Sequence, residues 1–448
     1  MGSQVGMALA KDASALAGLP HEGALTPLLF RVVKEGAYEL SRKELKVAVP
    51  IVVGEGKKDC YLYLGEIKAD KGRHIAAFGL DVLSDQPESI ALLDGIVDVL
   101  QGRAGRDFRA RYTSDVAARQ QVRGLMLSQY TVSEDDFKTL KEWGATVARY
   151  QMYPVGEKWK GKTSDISGFA DWLDWKLGVL KGEVLPLARK YGIPLVVDLH
   201  VPPGGRGGSG MKMLDDPDWA AFFVDCWRKI VTRLKEEGCV YAYDLINEPT
   251  QFGAPKVCDY LEIQRRAANA IREIDPITPV IVSCRNDVAW CAPSAFKWMK
   301  PLDIVNVFYQ FHMYEPFDYT HQKVLPQFKD TVAAYPDATK GWDAEGLRRI
   351  VAPVRDFEKR YGARIFVGEF SSIAYAKGCD RWIADVGAML NEYGWDWCYH
   401  AFREWPGWSV EHVVTSGDSA STAKFATSDD NPRRRALLGA LRYGRILP

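Results

Sequence analysis

Two glutamates stand where an apolar run gives way to a loop. Glu248, in Asn247-Glu248-Pro249, follows Tyr241-Ala242-Tyr243-Asp244-Leu245-Ile246, which reads as a buried strand. Glu369 follows the run Arg364-Ile365-Phe366-Val367. In a barrel of parallel strands the C-terminal ends all open on one face. Two carboxylates delivered there from different strands can work on one bond, one as acid and one as nucleophile. Other strand ends carry Arg149, His200, Asn247, and His312 with Tyr314. The chain has only 7 histidines, yet His200, His312 and His400 all fall at or near strand ends. Together with the glutamates and the arginine they read as one polar site rather than as separately satisfied imidazoles.

The elements that must position these residues alternate from about residue 120 onward. Short strands are expected at 123–127, 146–149, 194–200, 241–246, 279–283, 303–311, 364–367 and 395–402. Helices intervene at 172–190, 219–237 and 260–273, and another opens at Ser133 with acids in its first turn, Glu134-Asp135-Asp136. Eight such units fit an α/β class (β/α)8 barrel spanning 116–448; a doubly wound open sheet is the alternative. Before the barrel, segments 29–33, 47–53, 61–64 and 74–82 read as strands separated by turn signals such as Gly54-Glu55-Gly56, and 89–100 as a short helix. Residues 23–115 are therefore expected to form a small β-rich domain, in the manner of a sandwich, and 1–22 a disordered tail.

Composition sets the outer limits. The 448 residues are 47% hydrophobic, ample for a large core, and the formal net charge is zero. A zero balance gives no electrostatic support for a nucleic-acid or anionic-membrane partner, and no run is long enough to span a membrane. The N-terminus lacks a basic region followed by an apolar run and does not read as a signal peptide. Eight scattered cysteines include no C-x-x-C pair, so a structural zinc site is not expected; most read as small buried apolar residues, with one or two disulfides open. Gly205-Arg206-Gly207-Gly208-Ser209-Gly210 satisfies G-x-G-x-x-G but opens no helix, and reads as a loop that lets substrate approach rather than a nucleotide site. The histidines lack the His-x-His of a metal-dependent hydrolase barrel on the first strand, so neither a metal nor a cofactor is expected.

From about Gln120 the chain resembles glycoside hydrolase family 5, the cellulase family of retaining glycosidases. The matching residues are Arg123-Gly124, Asp198-Leu199-His200, Asp244-Leu245-Ile246-Asn247-Glu248-Pro249, Phe311-His312-Met313-Tyr314-Glu315-Pro316, Thr320-His321-Gln322 and Val367-Gly368-Glu369-Phe370, in family order. The resemblance implies that Glu248 is the acid/base and Glu369 the nucleophile, with Arg149 and Tyr314 keeping Glu369 ionised. It implies that Asn247 holds the sugar 2-hydroxyl and that His200 and His312 bind hydroxyls and orient the carboxylates. Chemistry supports the division: one carboxyl must be protonated to assist the leaving oxygen and the other ionised to trap the sugar cation. The eighth strand departs from the family pattern, which places a tryptophan near His400. Trp405 is the expected replacement as a sugar platform, with Trp408 the second choice.

The resulting expectation is an endo-β-1,4-glucanase-like enzyme with a polysaccharide or oligosaccharide partner, secreted or periplasmic by resemblance. A β-mannanase, a xyloglucanase and an exo-β-glucosidase share the same catalytic pair. From a different class, a non-catalytic carbohydrate-binding barrel is disfavoured by retention of both glutamates, Arg149 and Tyr314. Substrate choice and oligomeric state are not encoded in these motifs.

Overall fold

The computed structural model describes residues 121–285 and 291–443, together with five strands nearer the N-terminus. The chain divides into two units near Gln120. In the first, Gly6–Ala8, Leu25–Thr26, Pro50–Gly54, Cys60–Ala69 and Gly72–Ala77 form a sheet in which every pairing is antiparallel. Three of the segments read as strands, 47–53, 61–64 and 74–82, overlap this sheet. Gly6–Ala8 is a strand inside the stretch read as a tail. Segments 29–33 and 89–100 lie outside the described residues.

The second unit is a closed barrel of eight parallel strands. They are β1 (Arg123–Met126), β2 (Val147–Met152), β3 (Leu195–Leu199), β4 (Val240–Asp244), β5 (Val280–Ser283), β6 (Val307–Met313), β7 (Arg364–Phe370) and β8 (Asp396–Tyr399). The ring closes where β8 pairs with β1, Trp397 opposite Arg123. Helices return the chain between strands. The first, Glu134–Trp143, begins at a capping box in which Ser133 and Asp136 satisfy each other's backbone N–H groups. The helix expected at 172–190 starts earlier, at Ile166, and passes through a π-helical turn, Leu180–Val184, into Leu185–Tyr191.

Strand alternation sorts the interior into levels, because residues two apart face the same way. One level is apolar: Val147, Val196, Ala242, Ile281, Phe308, Phe366 and Cys398, one from each of β2 to β8, form a single cluster. Two residues further along their strands come Arg149, Asp198, Asp244, Ser283 and Gln310, all buried. Arg149 is therefore not the end of β2, as the sequence suggested; the strand continues to Met152. The sixth strand likewise starts four residues later than expected, at Val307, and runs through His312.

One irregularity aims the site. Phe311 pairs with Val367, but the next residue, His312, pairs with Glu369, so β7 carries one extra residue, Gly368. Such a bulge re-aims the following side chain. A Cβ at Gly368 would lie 2.0 Å from Gln310 Oε1, so a side chain there would displace Gln310 from Asp244 and Ser283. The bulge thus turns Glu369 toward the barrel mouth without a side chain blocking the level beneath it.

Candidate active site

Glu369 is almost buried, its side chain 7% exposed. Arg149 Nη1 donates to its Oε1 at 2.7 Å, and Tyr314 donates its hydroxyl to Oε2 at 2.7 Å. Burial opposes the Glu369 charge, but His312, His400, Arg149 and His200 outweigh it and hold its pKa well below the carboxylate range. Arg149 is itself fully buried. Burial works against its charge too, and Asp198, Asp244 and Glu369 reverse that effect, leaving its pKa well above normal.

Glu248 sits four residues beyond β4 with a left-handed backbone, φ 46°, a conformation unusual for a residue with a side chain and characteristic of functional sites. Its side chain is 20% exposed, and its Oε1 lies 2.9 Å from His312 Nδ1. The same nitrogen is 3.8 Å from Glu369 Oε2. His312 therefore stands between two carboxylates that strands β4 and β7 bring together. Ligating atoms of Glu248, His312 and Glu369 all lie within 4.8 Å of one another. The bulge in β7 and the turn after β4 thus gather donors that are far apart in sequence. Among the described residues these are the three groups that could hold a divalent ion, two carboxylates and an imidazole.

Asn247 is fixed from both sides. Its Oδ1 accepts from Arg149 Nη2 at 3.1 Å, and its amide nitrogen lies 3.3 Å from His200 Nε2. His200 Nδ1 is 2.6 Å from Asp198 Oδ2, an arrangement that places a proton on Nδ1 and leaves Nε2 to accept from Asn247. Burial lowers and Asp198 raises the His200 pKa, and the carboxylate prevails. One Asn247 N–H remains for a ligand. Tyr314 spans the opposite wall, its hydroxyl 3.0 Å from His400 Nδ1.

The structure thus brings Glu248, Glu369, Arg149, His200, Asn247, His312 and Tyr314 into one hydrogen-bonded group. Trp405 is placed differently. Its ring lies over Gly407, where a Cβ would come within 2.3 Å of it, and packs 5.5 Å from Trp408 and 6.2 Å from Phe425. Trp408 is the tryptophan near the histidines, 5.0 Å from His321 and 6.2 Å from His400 between ring centres.

Sequence reasoning missed the residues beneath and beside this group. Asp198 and Asp244 both bind Arg149 Nη2, at 3.1 and 2.8 Å, and Gln310 donates to Asp244 Oδ1 at 3.0 Å. Their signal was present, since a carboxylate inside an apolar strand must find a partner. Tyr153, whose ring centre is 5.7 Å from that of His200, and Glu404 lie in loops where spacing gives no such signal. The described cysteines, from Cys226 to Cys398, are free and buried, and no disulfide forms among the described residues.

The family model for cellulase, glycosyl hydrolase family 5, matches residues 111–404. The chain belongs to this family. It is an O-glycosyl hydrolase with endoglucanase-like relatives. Endoglucanase C of Acetivibrio thermocellus is 26% identical over 297 residues, which cover 58% of this chain and 81% of the relative. A probable glucan 1,3-beta-glucosidase A of Aspergillus fumigatus is 27% identical over 322 residues, 64% of this chain and 73% of the relative. Among solved structures, Thermotoga maritima Cel5A in complex with cellobiose superposes with a TM-score of 0.53 at 20% identity, over 72% of this chain and 97% of that one, and supports the barrel fold. Among the described residues of the family 5 enzyme, no helix is long and apolar enough to cross a membrane.

Proposed function

We propose that this family 5 enzyme is a retaining β-glycosidase that cleaves a β-1,4-linked glucan by double displacement. The observation that carries the reading is the closeness of two carboxylates, one in the turn after β4 and one on β7, with atoms within 4.8 Å. Retaining glycosidases hold their carboxyl groups ~5–5.5 Å apart, whereas inverting ones leave about 6.5–9.5 Å for a water. Glu369, kept ionised by Arg149 and Tyr314, attacks the anomeric carbon. Glu248 gives its proton to the departing oxygen. Once Glu369 is esterified its charge is gone, and Glu248 accepts a proton from the water that hydrolyses the intermediate. Asn247, fixed by Arg149 and His200, offers its remaining N–H to the sugar 2-hydroxyl.

Residues 116–448 are proposed as the catalytic unit, with the substrate reaching the mouth from outside the cell or in the periplasm. Trp405 is proposed as a sugar-stacking ring beyond the central position. Following the first-formed sugar by proton NMR tests the mechanism: the β-anomer is expected, and an α-anomer would remove Glu369 as nucleophile. Reducing-end release from a panel of glucans, mannans and xyloglucan tests the substrate. Turnover is expected to survive a chelator, because Glu248 and Glu369 serve the reaction as proton donor and nucleophile; complete inhibition reversed by one divalent ion would assign the Glu248–His312–Glu369 group to a metal instead.

A further inference from the structure

Glu404 is a carboxylate at the barrel mouth for which the double displacement has no use. Its side chain is mostly buried, 16% exposed. Oε2 accepts from Gln151 Nε2 at 2.6 Å, while among the described residues Oε1 has longer neighbours, Gln129 Nε2 at 3.5 Å and His400 Nε2 at 3.9 Å. Gln151 is two residues beyond Arg149 on β2 and so faces the interior with it; its amide also donates to Leu127 O at 2.9 Å, which fixes its orientation. Burial opposes the Glu404 charge, but His400 and Gln151 outweigh it and keep its pKa below the ordinary value. Glu404 is therefore an ionised acceptor with lone pairs to spare, held in place before any ligand arrives.

Its position in the ring says which part of a substrate it meets. In the cyclic order of strands, β8 is four places from β4 in either direction, so the loop carrying Glu404 stands across the mouth from Glu248. An acid on Glu248 touches the departing oxygen, so the leaving portion of the substrate runs over the β4 side. The ring transferred to Glu369 extends the other way, over β8, β1 and β2. His400 links the two places: its Nδ1 is 3.0 Å from Tyr314, which binds Glu369, and its Nε2 faces Glu404. An imidazole–carboxylate pair thus occupies ground where an aromatic face was expected.

We propose that Glu404, held by Gln151, accepts hydrogen bonds from hydroxyls of the transferred sugar, and so helps determine which sugar the site accepts. This rests on the glycosidase reading and names a specificity determinant within it. A buried carboxylate aimed at a hydroxyl discriminates strongly against a ring that lacks it, because its lone pairs are then left unpaired.

The test pairs variants with deoxygenated substrates. Aryl β-glucoside and its 3-, 4- and 6-deoxy analogues are assayed with the wild type, E404A and E404Q. In the wild type at least one analogue is expected to lose about 100-fold or more in kcat/KM. In E404A the parent substrate should fall by a similar factor and that analogue should lose no more than about 2-fold further, the pattern of a shared contact. E404Q keeps the shape of the side chain and one acceptor oxygen; it should fall between the two, and it gives the same comparison should the alanine variant not fold. Deoxy penalties that are undiminished in both variants, or variants that turn over the parent substrate like the wild type, would overturn the proposal. A wild type inert on aryl β-glycosides of glucose, mannose and cellobiose alike would instead remove the glycosidase reading beneath it.

Discussion

Among the described residues the barrel holds a buried arginine–carboxylate cluster at each end, and the two are built on opposite principles. At the N-terminal ends of the strands, Arg364 meets Asp396 through Nε at 2.8 Å and Nη2 at 2.7 Å. Tyr241 donates to Asp396 Oδ2 and the Val122 amide to Oδ1, both at 2.9 Å. One positive charge faces one negative charge, and both carboxylate oxygens are occupied. At the other end, one guanidinium faces Asp198, Asp244 and Glu369. That cluster has more negative charge than Arg149 can neutralise, so it must hold protons, on Asp244 or on the histidines around it. A balanced cluster is suited to closing a barrel; an unbalanced one, poised to gain and lose protons and exposed at Glu248, is suited to chemistry. The same contrast between the two faces holds for (β/α)8 barrels generally.

The sharpest break in this comparison comes at Glu369. Glu369→Ala is expected to lower turnover by about 10^4-fold or more, with azide restoring part of it by entering the vacated space as a nucleophile. A variant with near-normal turnover would contradict the assignment. Arg149→Met should come next, because it removes both the counter-charge of Glu369 and the guanidinium that binds three buried carboxylates. A loss of about 3–5 kcal/mol in stability is expected, together with most of the activity. Arg364→Met at the opposite end should cost a similar ~3–5 kcal/mol, since Asp396 is left buried and unpaired, yet kcat/KM at a temperature where the variant is folded should stay within about 2-fold. The double variant Arg364→Met/Asp396→Leu should regain most of that stability. Chemical denaturation read beside kinetics separates the two ends; a loss of activity in the folded Arg364 variant would show that they are coupled.

The two clusters also differ in how legible they were. Glu248, Glu369, His200 and Tyr314 could be found because each follows an apolar run, and a polar residue at that boundary has few structural reasons to be there. Arg149 was found as well, though as the end of a strand that runs on to Met152; Asp198, one residue before the end of β3, and Asp244, the last residue of β4, were given no role, because side-chain direction within a strand depends on register. Register is fixed by pairing between strands and cannot be seen in any one of them. The bulge at Gly368 was invisible for the same reason: only the Phe311–Val367 and His312–Glu369 pairings reveal the extra residue. Arg364 and Asp396 were read as ordinary strand beginnings, although a charge leading an apolar run at the closed end of a barrel is a comparable signal. Glu404 and Trp405 belong to a loop whose path is set by tertiary contacts, among them Arg403 bound to Glu411 at 2.7 Å and to Asp136 at 2.8 Å.

The charge imbalance should be visible as a pH dependence of stability. Burial, countered by Arg149 and reinforced by Asp198, pushes the Asp244 pKa up to about 7. The folded pKa is thus raised above the unfolded value, so this group's contribution is fully present below the ordinary carboxylate range and is lost as pH rises through about 7. Asp396 is moved in the same direction by burial, with Arg364 opposing. Above the ordinary carboxylate range, where the opposite contribution of the depressed Glu369 is already complete, denaturation midpoints should therefore decline toward neutrality, and Asp244→Asn should flatten that decline more than Asp396→Asn does. Equal flattening would mean that the two clusters are charged alike. His200 and His400, whose pKa values are raised by Asp198 and by Glu369 respectively against the effect of burial, should add a further decline above their unfolded range in both variants.

On the smallest scale the contrast between support and chemistry recurs within one loop. Trp408 is 9% exposed, stacks near His321 and His400, and gives its carbonyl oxygen to Tyr399 and Arg433. Trp405 is half-buried, resting on Gly407 and Phe425. Trp408→Ala should accordingly cost stability, about 3 kcal/mol or more, because a buried ring packed against His321, His400 and Trp405 is removed. Trp405→Ala should leave most of the stability intact and weaken binding and turnover on an oligosaccharide, by ~1–3 kcal/mol of apolar burial against a sugar face. The measurement is a pair of numbers for each variant, melting temperature and kcat/KM on cellotetraose. A Trp405→Ala enzyme with unchanged kinetics would move the sugar platform off this ring, and a stable Trp408→Ala enzyme with crippled kinetics would place it on Trp408, beside His400.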